Sequence, residues 1–335
     1  MSAETPATPS HTAWQQAAGW FALLRSGDAC AQQRADWQAW LAQAAEHRDA
    51  WAYAEAVGQR FAPMRERDNR QAAAAALKQV RAQRGGRRQL LRSVALLAGT
   101  GLLVWAGWRH SPLPQMALAW SADYRSATGE LREVRLADGT HIWLNTATAF
   151  NADYQPQLRR VALVAGEILI TTGSDARPFV ADTRHGRLRA LGTRFTVRLE
   201  EHTTLLAVYQ GAVELRTASG KAVRVIKAGE QARFDGERVH AVMPAEAARE
   251  AWTRGVLLAG DITLQALVAE LNRYHHGHLG VAPEVAGLRV LGGYPLRDLP
   301  RTLAMLEAVL PIRVQRSLPW WTSIEPRSRS ASAAR

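Results

Sequence analysis

The sequence has 335 residues, 47% of them apolar, which is enough to build more than one hydrophobic core. Its 42 Lys and Arg against 30 Asp and Glu give a net charge of +12 and a pI near 10.8, a balance that suits nucleic acid, an anionic membrane surface or an acidic protein and separates none of them. The single cysteine, Cys30, excludes an intramolecular disulfide, so every domain must fold without covalent staples.

Residues 1–10 are rich in Ser, Thr and Pro and lack the basic and apolar regions of a secretory signal, which predicts a disordered end. Residues 11–63 carry Trp14, Trp20, Trp37, Trp40 and Trp51 at helical spacing. Trp14, Ala17, Phe21 and Leu24 line a first helix that ends at Ser26-Gly27-Asp28. Trp37, Trp40 and Leu41 line a second, and Ala50, Trp51, Ala54, Val57 and Phe61 a third. Most of these indoles are expected in the core. A bundle this small cannot bury all five, so part of the aromatic surface is expected to bind a partner.

Residues 64–92 read as a polar, helix-prone arm broken at Gly85-Gly86. It carries Arg81, Arg84, Arg87, Arg88 and Arg92, and its last dozen residues hold no acid. Residues 93–108 (SVALLAGTGLLVWAGW) follow with no charge at all. As a helix they reach about 24 Å, short of a bilayer core of about 30 Å, and Arg92 and Arg109 can make up the difference by extending to the two interfaces. The alternative is a buried core helix. The arginine cluster favours a membrane span with the N-terminus in the cytoplasm and the rest outside. Arg87-Arg88-Gln89-Leu90-Leu91-Arg92 also resembles a twin-arginine export signal, and paired arginines arise equally by chance in a basic run. Ala117-Leu118-Ala119 resembles a signal-peptidase site, and no cleavage is expected there. The basic arm is explained by the adjacent membrane, so direct nucleic-acid binding is not expected.

Residues 109–122 are a Pro-containing linker, and residues 123–244 then alternate in short runs: LREVRL and THIWL joined through Asp138-Gly139, then RRVALV, EILITT, RFTVRL, LLAVYQ, AVELRT and AVRVI. They predict an antiparallel all-β domain, with sandwich, roll and short solenoid all open. Residues 250–325 predict a small βαββαβ domain. In it GVLLA is a strand, Asp261 caps a helix bearing Leu264, Val268 and Leu271, Leu279 to Ala282 and Leu288 to Tyr294 are strands, a second helix runs from Leu299 to Leu310, and IRVQR closes the sheet. Residues 326–335 are expected to be a disordered tail. The whole is a multidomain α+β chain: a small helical bundle, one transmembrane helix, a β domain and a small α+β domain.

Several motifs in fixed order resemble the FecR family of transmembrane regulators of extracytoplasmic-function sigma factors. In the helical part they are Ala13-Trp14, Leu24-Arg25-Ser26-Gly27, Trp37 with Trp40-Leu41, and His47-Arg48 with Ala50-Trp51. In the β part they are Gly129-Glu130, Leu136-Ala137-Asp138-Gly139-Thr140, Leu144-Asn145, Gly166-Glu167, Arg177-Pro178-Phe179 and Leu191-Gly192-Thr193 followed by Phe195 and Val197-Arg198. Leu271-Asn272-Arg273-Tyr274 and Val290 with Gly292 look like the small domain shared by secretins and TonB-dependent receptors. His275-His276-Gly277-His278 departs from the family pattern.

The resemblance implies an inner-membrane relay protein without cofactor. Trp14, Trp20, Trp37, Trp40, Leu41 and Trp51 would hold an extracytoplasmic-function sigma factor. Leu264, Leu271, Asn272, Arg273, Tyr274, Gly292 and Tyr294 would meet the periplasmic signalling domain of an outer-membrane TonB-dependent receptor, often one for iron-siderophore or haem. An intramembrane protease would cut near 93–108, in a helix that Gly99, Gly101 and Gly107 make easier to unwind. The chain could act as inhibitor or activator of its sigma factor. The competing reading is a membrane-anchored periplasmic binding module for cell-wall or envelope components, whose N-terminal helices only anchor or oligomerise.

No glycine-rich phosphate loop, HExxH, GxSxG or paired-cysteine motif is present, so an enzyme acting on other molecules is not expected. Gly192-Thr193 is a candidate for self-cleavage, since a threonine hydroxyl can attack the preceding carbonyl and some members of the family resemble self-cleaving proteins at this pair. An ordinary turn glycine beside a strand threonine is the equal alternative. His275, His276 and His278 lack the spacing of a metal site, and His276 and His278 are expected in a solvated turn. Asp138 is expected to serve its Asp-Gly turn.

Overall fold

A computed structural model describes residues 9–25, 30–65, 119, 121–318 and 320–327. The expected span at 93–108, most of the arm with Arg87, Arg88 and Arg92, most of the linker, residues 1–8 and 328–335 lie outside the described residues. Among the described residues no helix is long and apolar enough to cross a membrane. The chain divides into two compact units. One holds the N-terminal helices with 262–290 and 303–327, and the other holds 119–261 with 291–302.

In the first unit, α1 (His11–Arg25) starts at Ser10, whose hydroxyl accepts the Ala13 N–H at 3.2 Å. α2 (Ala31–Gln43) is capped by Cys30, whose N–H donates to the Gln33 side chain at 2.9 Å. α3 is Ala45–Arg65. Ala13, Ala17 and Ala18 on α1 and Ala50 and Ala54 on α3 are buried, and these small faces let the two helices approach closely. The same unit contains α4 (Leu264–Asn272), α5 (Pro283–Ala286) and a three-stranded sheet of β16 (His278–Val281), β19 (Trp321–Pro326) and β18 (Ile312–Leu318), in that order. β16 and β19 are parallel, and β18 and β19 antiparallel.

The C-terminal sequence therefore departs from the expected βαββαβ order. A last strand, β19, inserts between β16 and β18, driven by the full burial of Trp321 and Ile324. β15 (Val256–Thr263) pairs instead with β17 (Arg289–Pro295), and α6 (Leu299–Val309) follows. Nor does Asp261 cap α4. It lies within β15 at φ 65°, and Thr263 is the cap, its hydroxyl accepting the Ala266 N–H at 3.2 Å.

The second unit stacks two seven-stranded sheets. The first sheet holds β1 (Tyr124–Arg125), β4 (Ala149–Gln155), β5 (Leu158–Ala165), β7 (Phe179–Thr183), β8 (Gly186–Ala190), β11 (Ala212–Thr217) and β12 (Val223–Lys227). The second holds, in chain order, β2 (Arg132–Arg135), β3 (His141–Leu144), β6 (Glu167–Thr171), β9 (Arg194–Leu199), β10 (Thr204–Gln210), β13 (Glu230–Phe234) and β14 (Met243–Pro244). Phe150, Phe179, Phe195, Phe234, Ile142 and Ile168 are fully buried, each contributing roughly 1.5–3 kcal/mol.

The domain is not wholly antiparallel. The chain leaves β5, spends β6 in the other sheet and returns as β7, which makes β5 and β7 a parallel pair. Several of these passages between sheets turn on a glycine at positive φ: Gly166, Gly192, Gly211 and Gly229 lie at φ 73–83°. Asp138 does more than shape its turn. Its carboxylate accepts from Arg159 at 2.7 Å, Thr140 at 2.6 Å and Tyr154 at 3.0 Å, and its side chain and that of Arg159 are almost fully enclosed.

Candidate functional site

Leu191, Gly192 and Thr193 carry the chain from β8 in one sheet to β9 in the other. Leu191 is half exposed, and its N–H donates to the Ala212 carbonyl at 3.0 Å. Gly192 sits at φ 73°, a conformation that strains any other L-residue. Its carbonyl oxygen lies against Gly211, itself at φ 74°, where a Cβ would overlap both that oxygen and the Thr193 methyl. Two chain crossings thus touch at a point where Gly211 has no room for a side chain, while Gly192 has open space on its own Cβ side and is restricted by its φ alone.

Thr193 is 96% buried, and its hydroxyl has no hydrogen-bond partner. Its backbone, by contrast, is fully engaged with Thr172. The Thr193 N–H donates to the Thr172 hydroxyl at 2.9 Å, and the Thr193 carbonyl accepts from the Thr172 N–H at 3.1 Å and from the Thr172 hydroxyl at 3.3 Å. The peptide is therefore held while the side-chain oxygen is left uncommitted, four bonds along the chain from the Gly192 carbonyl carbon. An unpaired buried hydroxyl costs on the order of 1–3 kcal/mol, and such costs concentrate at sites with a task.

The next residue, Arg194, is held from outside the sheets. It pairs with Glu250 at 2.6 Å and donates to Thr171 at 3.3 Å. Glu250 belongs to a 3-10 helix, Ala247–Arg254, which buries Ala251 and Trp252. Thr196 on β9, Gln231 on β13 and Tyr209 on β10 lie on neighbouring strands of this sheet, the Gln231 amide oxygen is buried without a partner, and burial raises the Tyr209 phenol to about 12.

The other sequence-predicted residues are spread more widely. Trp40 is buried, donates to Gln16 at 2.7 Å and stacks on His47. Trp14, Trp20, Trp37, Leu41 and Trp51 are half-buried, and the Trp37 and Trp51 rings lie 5.0 Å apart. Part of this aromatic surface packs on C-terminal residues within the same unit. Trp14 lies 5.2 Å from His278 and 5.9 Å from Trp321, and Phe21 meets Trp320 at 5.1 Å.

His278 is consequently in a strand and stacked on Trp321 at 4.1 Å, not in a solvated turn; His276 is exposed, and the buried His275 Nε2 has no partner. Burial lowers the His275 imidazole below its usual value. Of the residues assigned to receptor contact, Leu264, Leu271, Tyr274 and Tyr294 are core side chains. Asn272 bridges to the Leu279 backbone at 2.8 and 3.0 Å, and Arg273 pairs with Glu270 at 2.9 Å. Gly292 is exposed at φ 133°. Thr172, Gly211, Glu250, Trp320 and Trp321 were not singled out by sequence. Only Gly211, placed between two strand runs as Gln210-Gly211-Ala212, carried a readable sign.

Comparison with known proteins identifies the two blocks around this geometry. Residues 122–214 match the family described as FecR protein, and residues 15–57 match a domain of unknown function, DUF4880. Among solved structures, two crystal structures of a candidate anti-sigma factor from Parabacteroides distasonis ATCC 8503 superpose with a TM-score of 0.51 at 21% identity. They cover 61% of this chain and 99% and 98% of their own. At that identity the likeness establishes the fold. No curated protein matches the sequence. The stretch similar to FecR protein opens on the linker and closes within β11, and the tryptophan-rich helices before it carry the second match.

Proposed function

We propose that this chain, a FecR protein domain preceded by a tryptophan-rich helical domain, is a sigma-factor regulator whose helical end binds an extracytoplasmic-function sigma factor. The observation that carries this is the pairing of the two matched blocks in one chain, with an aromatic face on the first that does not close on itself. In this reading residues 93–108 cross the inner membrane once, residues 11–63 lie in the cytoplasm and the β and C-terminal domains in the periplasm. The signal comes from the periplasmic domain of a TonB-dependent receptor, for iron-siderophore or haem, and an intramembrane protease frees the cytoplasmic part.

A bilayer at 93–108 would part Trp14 from His278 and Trp321. The inserted chain then has an uncovered indole surface on α1 and α3, which a sigma factor would cover in place of the C-terminal tryptophans. The test is co-purification of the tagged full chain with sigma factors from the native cell, comparing wild type with folded Trp37→Ala and Trp20→Ala variants. Capture of one sigma factor, lost in a folded variant, supports the reading. Capture of none by a well-folded chain favours instead the membrane-anchored periplasmic binding module.

The buried, unpartnered Thr193 hydroxyl supports a second activity of the same chain, self-cleavage between Gly192 and Thr193. The hydroxyl oxygen adds to the Gly192 carbonyl carbon and closes a five-membered ring. The carbon–nitrogen bond then opens, the hydroxyl proton ends on the Thr193 nitrogen, and Gly192 is left as an ester on the Thr193 oxygen. Water adds to that ester and releases a Gly192 carboxylate, a free amine and the restored hydroxyl. No other enzymatic activity is proposed. Loss of the intact 36.8-kDa chain in wild type, its retention in Thr193→Ala and its loss again in Thr193→Ser would establish the step. A wild-type chain that stays intact would exclude it.

A further inference from the structure

The scissile peptide has a second participant that the Gly-Thr pair does not announce. Thr172 follows the last residue of β6 and is brought to Thr193 by the pairing of β6 with β9, in which Thr171 faces Arg194. Three hydrogen bonds converge there, two involving the Thr172 hydroxyl and one its backbone N–H, and all end on the backbone of Thr193. One fixes the amide nitrogen that must leave, and two fix the carbonyl on the far side of the same residue. A side chain that merely filled space at a strand end would not bracket one residue in this way.

We propose that Thr172 positions the Gly192–Thr193 peptide for the acyl shift and steadies the departing nitrogen. The inference rests on the self-cleavage reading and deepens it.

The chemistry follows from what a hydroxyl can do. In the intact peptide the nitrogen lone pair is tied up in amide resonance, and the Thr172 oxygen accepts the N–H. As the Thr193 oxygen adds to the carbonyl carbon, that resonance is lost and the nitrogen gains a free lone pair. The Thr172 hydroxyl, whose hydrogen in the intact chain points to the Thr193 carbonyl, rotates to donate to it. No proton leaves Thr172. The one that ends on nitrogen comes from the Thr193 hydroxyl, and Thr172 holds the nitrogen in place while it arrives. Among the described residues no side chain other than Thr172 hydrogen-bonds the Thr193 backbone, and none reaches the Thr193 hydroxyl.

The experiment is a pulse-labelled time course of the full chain in its native membranes, following the intact species in wild type, Thr172→Val, Thr172→Ser and Thr193→Ala, with thermal melting of each purified chain. Valine keeps the shape and removes the hydroxyl, so cleavage is expected to slow about tenfold, the equivalent of one hydrogen bond, with a cooperative melting transition retained at a somewhat lower temperature because the Thr193 N–H loses its acceptor. Serine restores the rate. A folded Thr172→Val chain that keeps pace with wild type overturns the role of Thr172 and leaves self-cleavage standing, whereas an intact wild type removes both. Should the valine variant not fold, Thr172→Ala is read by the same limits. Failure of both to fold also overturns the inference, because Thr172 is then a structural residue.

Discussion

Arg194 and Glu250 stand 56 residues apart and meet at 2.6 Å, tying the first residue of β9 to the 3-10 helix that leads out of the β sandwich. Both side chains are partly exposed, so the pair is worth no more than about 1 kcal/mol. Glu250→Gln is accordingly expected to lower the stability of the β domain by that amount or less in denaturant titration. The larger effect should be local, a faster amide exchange across residues 247–254. Unchanged exchange there would show that Trp252 alone seats the segment.

Asp138 and Arg159 form a different kind of pair, enclosed and completed by Thr140 and Tyr154. Removing one partner, as in Arg159→Leu, leaves a buried carboxylate uncompensated and is expected to cost about 3–5 kcal/mol in chemical denaturation. A loss below about 1 kcal/mol would mean that the turn, not the ion pair, holds this end of the sandwich.

The same carboxylate sets a pH dependence. Burial pushes the Asp138 carboxyl up, but the hydrogen bonds from Thr140, Arg159 and Tyr154 outweigh it and hold it below its ordinary value. A group whose value is lower in the folded chain adds stability above its unfolded value, about 3.9, and that stability fades as pH falls through the folded value. Denaturation midpoints measured from pH 6 downward should fall below about pH 4 in wild type and less steeply in Asp138→Asn.

Gly211 faces the Gly192 carbonyl with no room for a Cβ and at a positive φ. Gly211→Ala combines backbone strain with a clash and is expected to cost about 1–3 kcal/mol, seen as a lower melting temperature. Gly220, at φ 71° with open space around it, pays only the backbone part, so Gly220→Ala should be milder. Equal losses at both would remove the contact with Gly192 as the cause.

Cys30 is exposed and has no thiol competitor, which makes it a topology marker. In the proposed orientation a membrane-impermeant maleimide leaves Cys30 unlabelled in intact spheroplasts and labels it after lysis. A Ser219→Cys chain lacking Cys30 should label in both, because Ser219 lies exposed on the β domain. Labelling of Cys30 from outside would overturn the orientation.

The strands legible in the sequence were the short runs rich in apolar and β-branched residues, such as RFTVRL and LLAVYQ, which are β9 and β10 and bury several consecutive residues. β4, β7 and β13 were not, because AFNADYQ, FVADT and EQARF place Asn151, Asp153, Asp182 and Arg233 on strand positions whose neighbours, not whose own side chains, make the strand. β19 was missed for a related reason: IRVQR reads as the closing strand, and only the pairing with β16 and β18 shows that Trp321–Pro326 adds one more between them. At the candidate site, Gly192 and Thr193 could be singled out because the chemistry needs them adjacent. Thr172 could not, since only the ladder between β6 and β9 closes the 21-residue gap.

Strand membership gives a break at Gly192 an unusual character. Residues before it supply strands to both sheets, and so do residues after it, with the two sets clasped along β6 with β9 and β8 with β11. Severing the backbone there would leave the outline of the domain as it was. What changes is its response to load: an uncut chain passes a pull from one terminus to the other through covalent bonds, while a nicked one passes it through two hydrogen-bonded ladders that can unzip. The crossing from β8 to β9 is in this sense a shear pin, a place where the fold can be made separable without first being made loose.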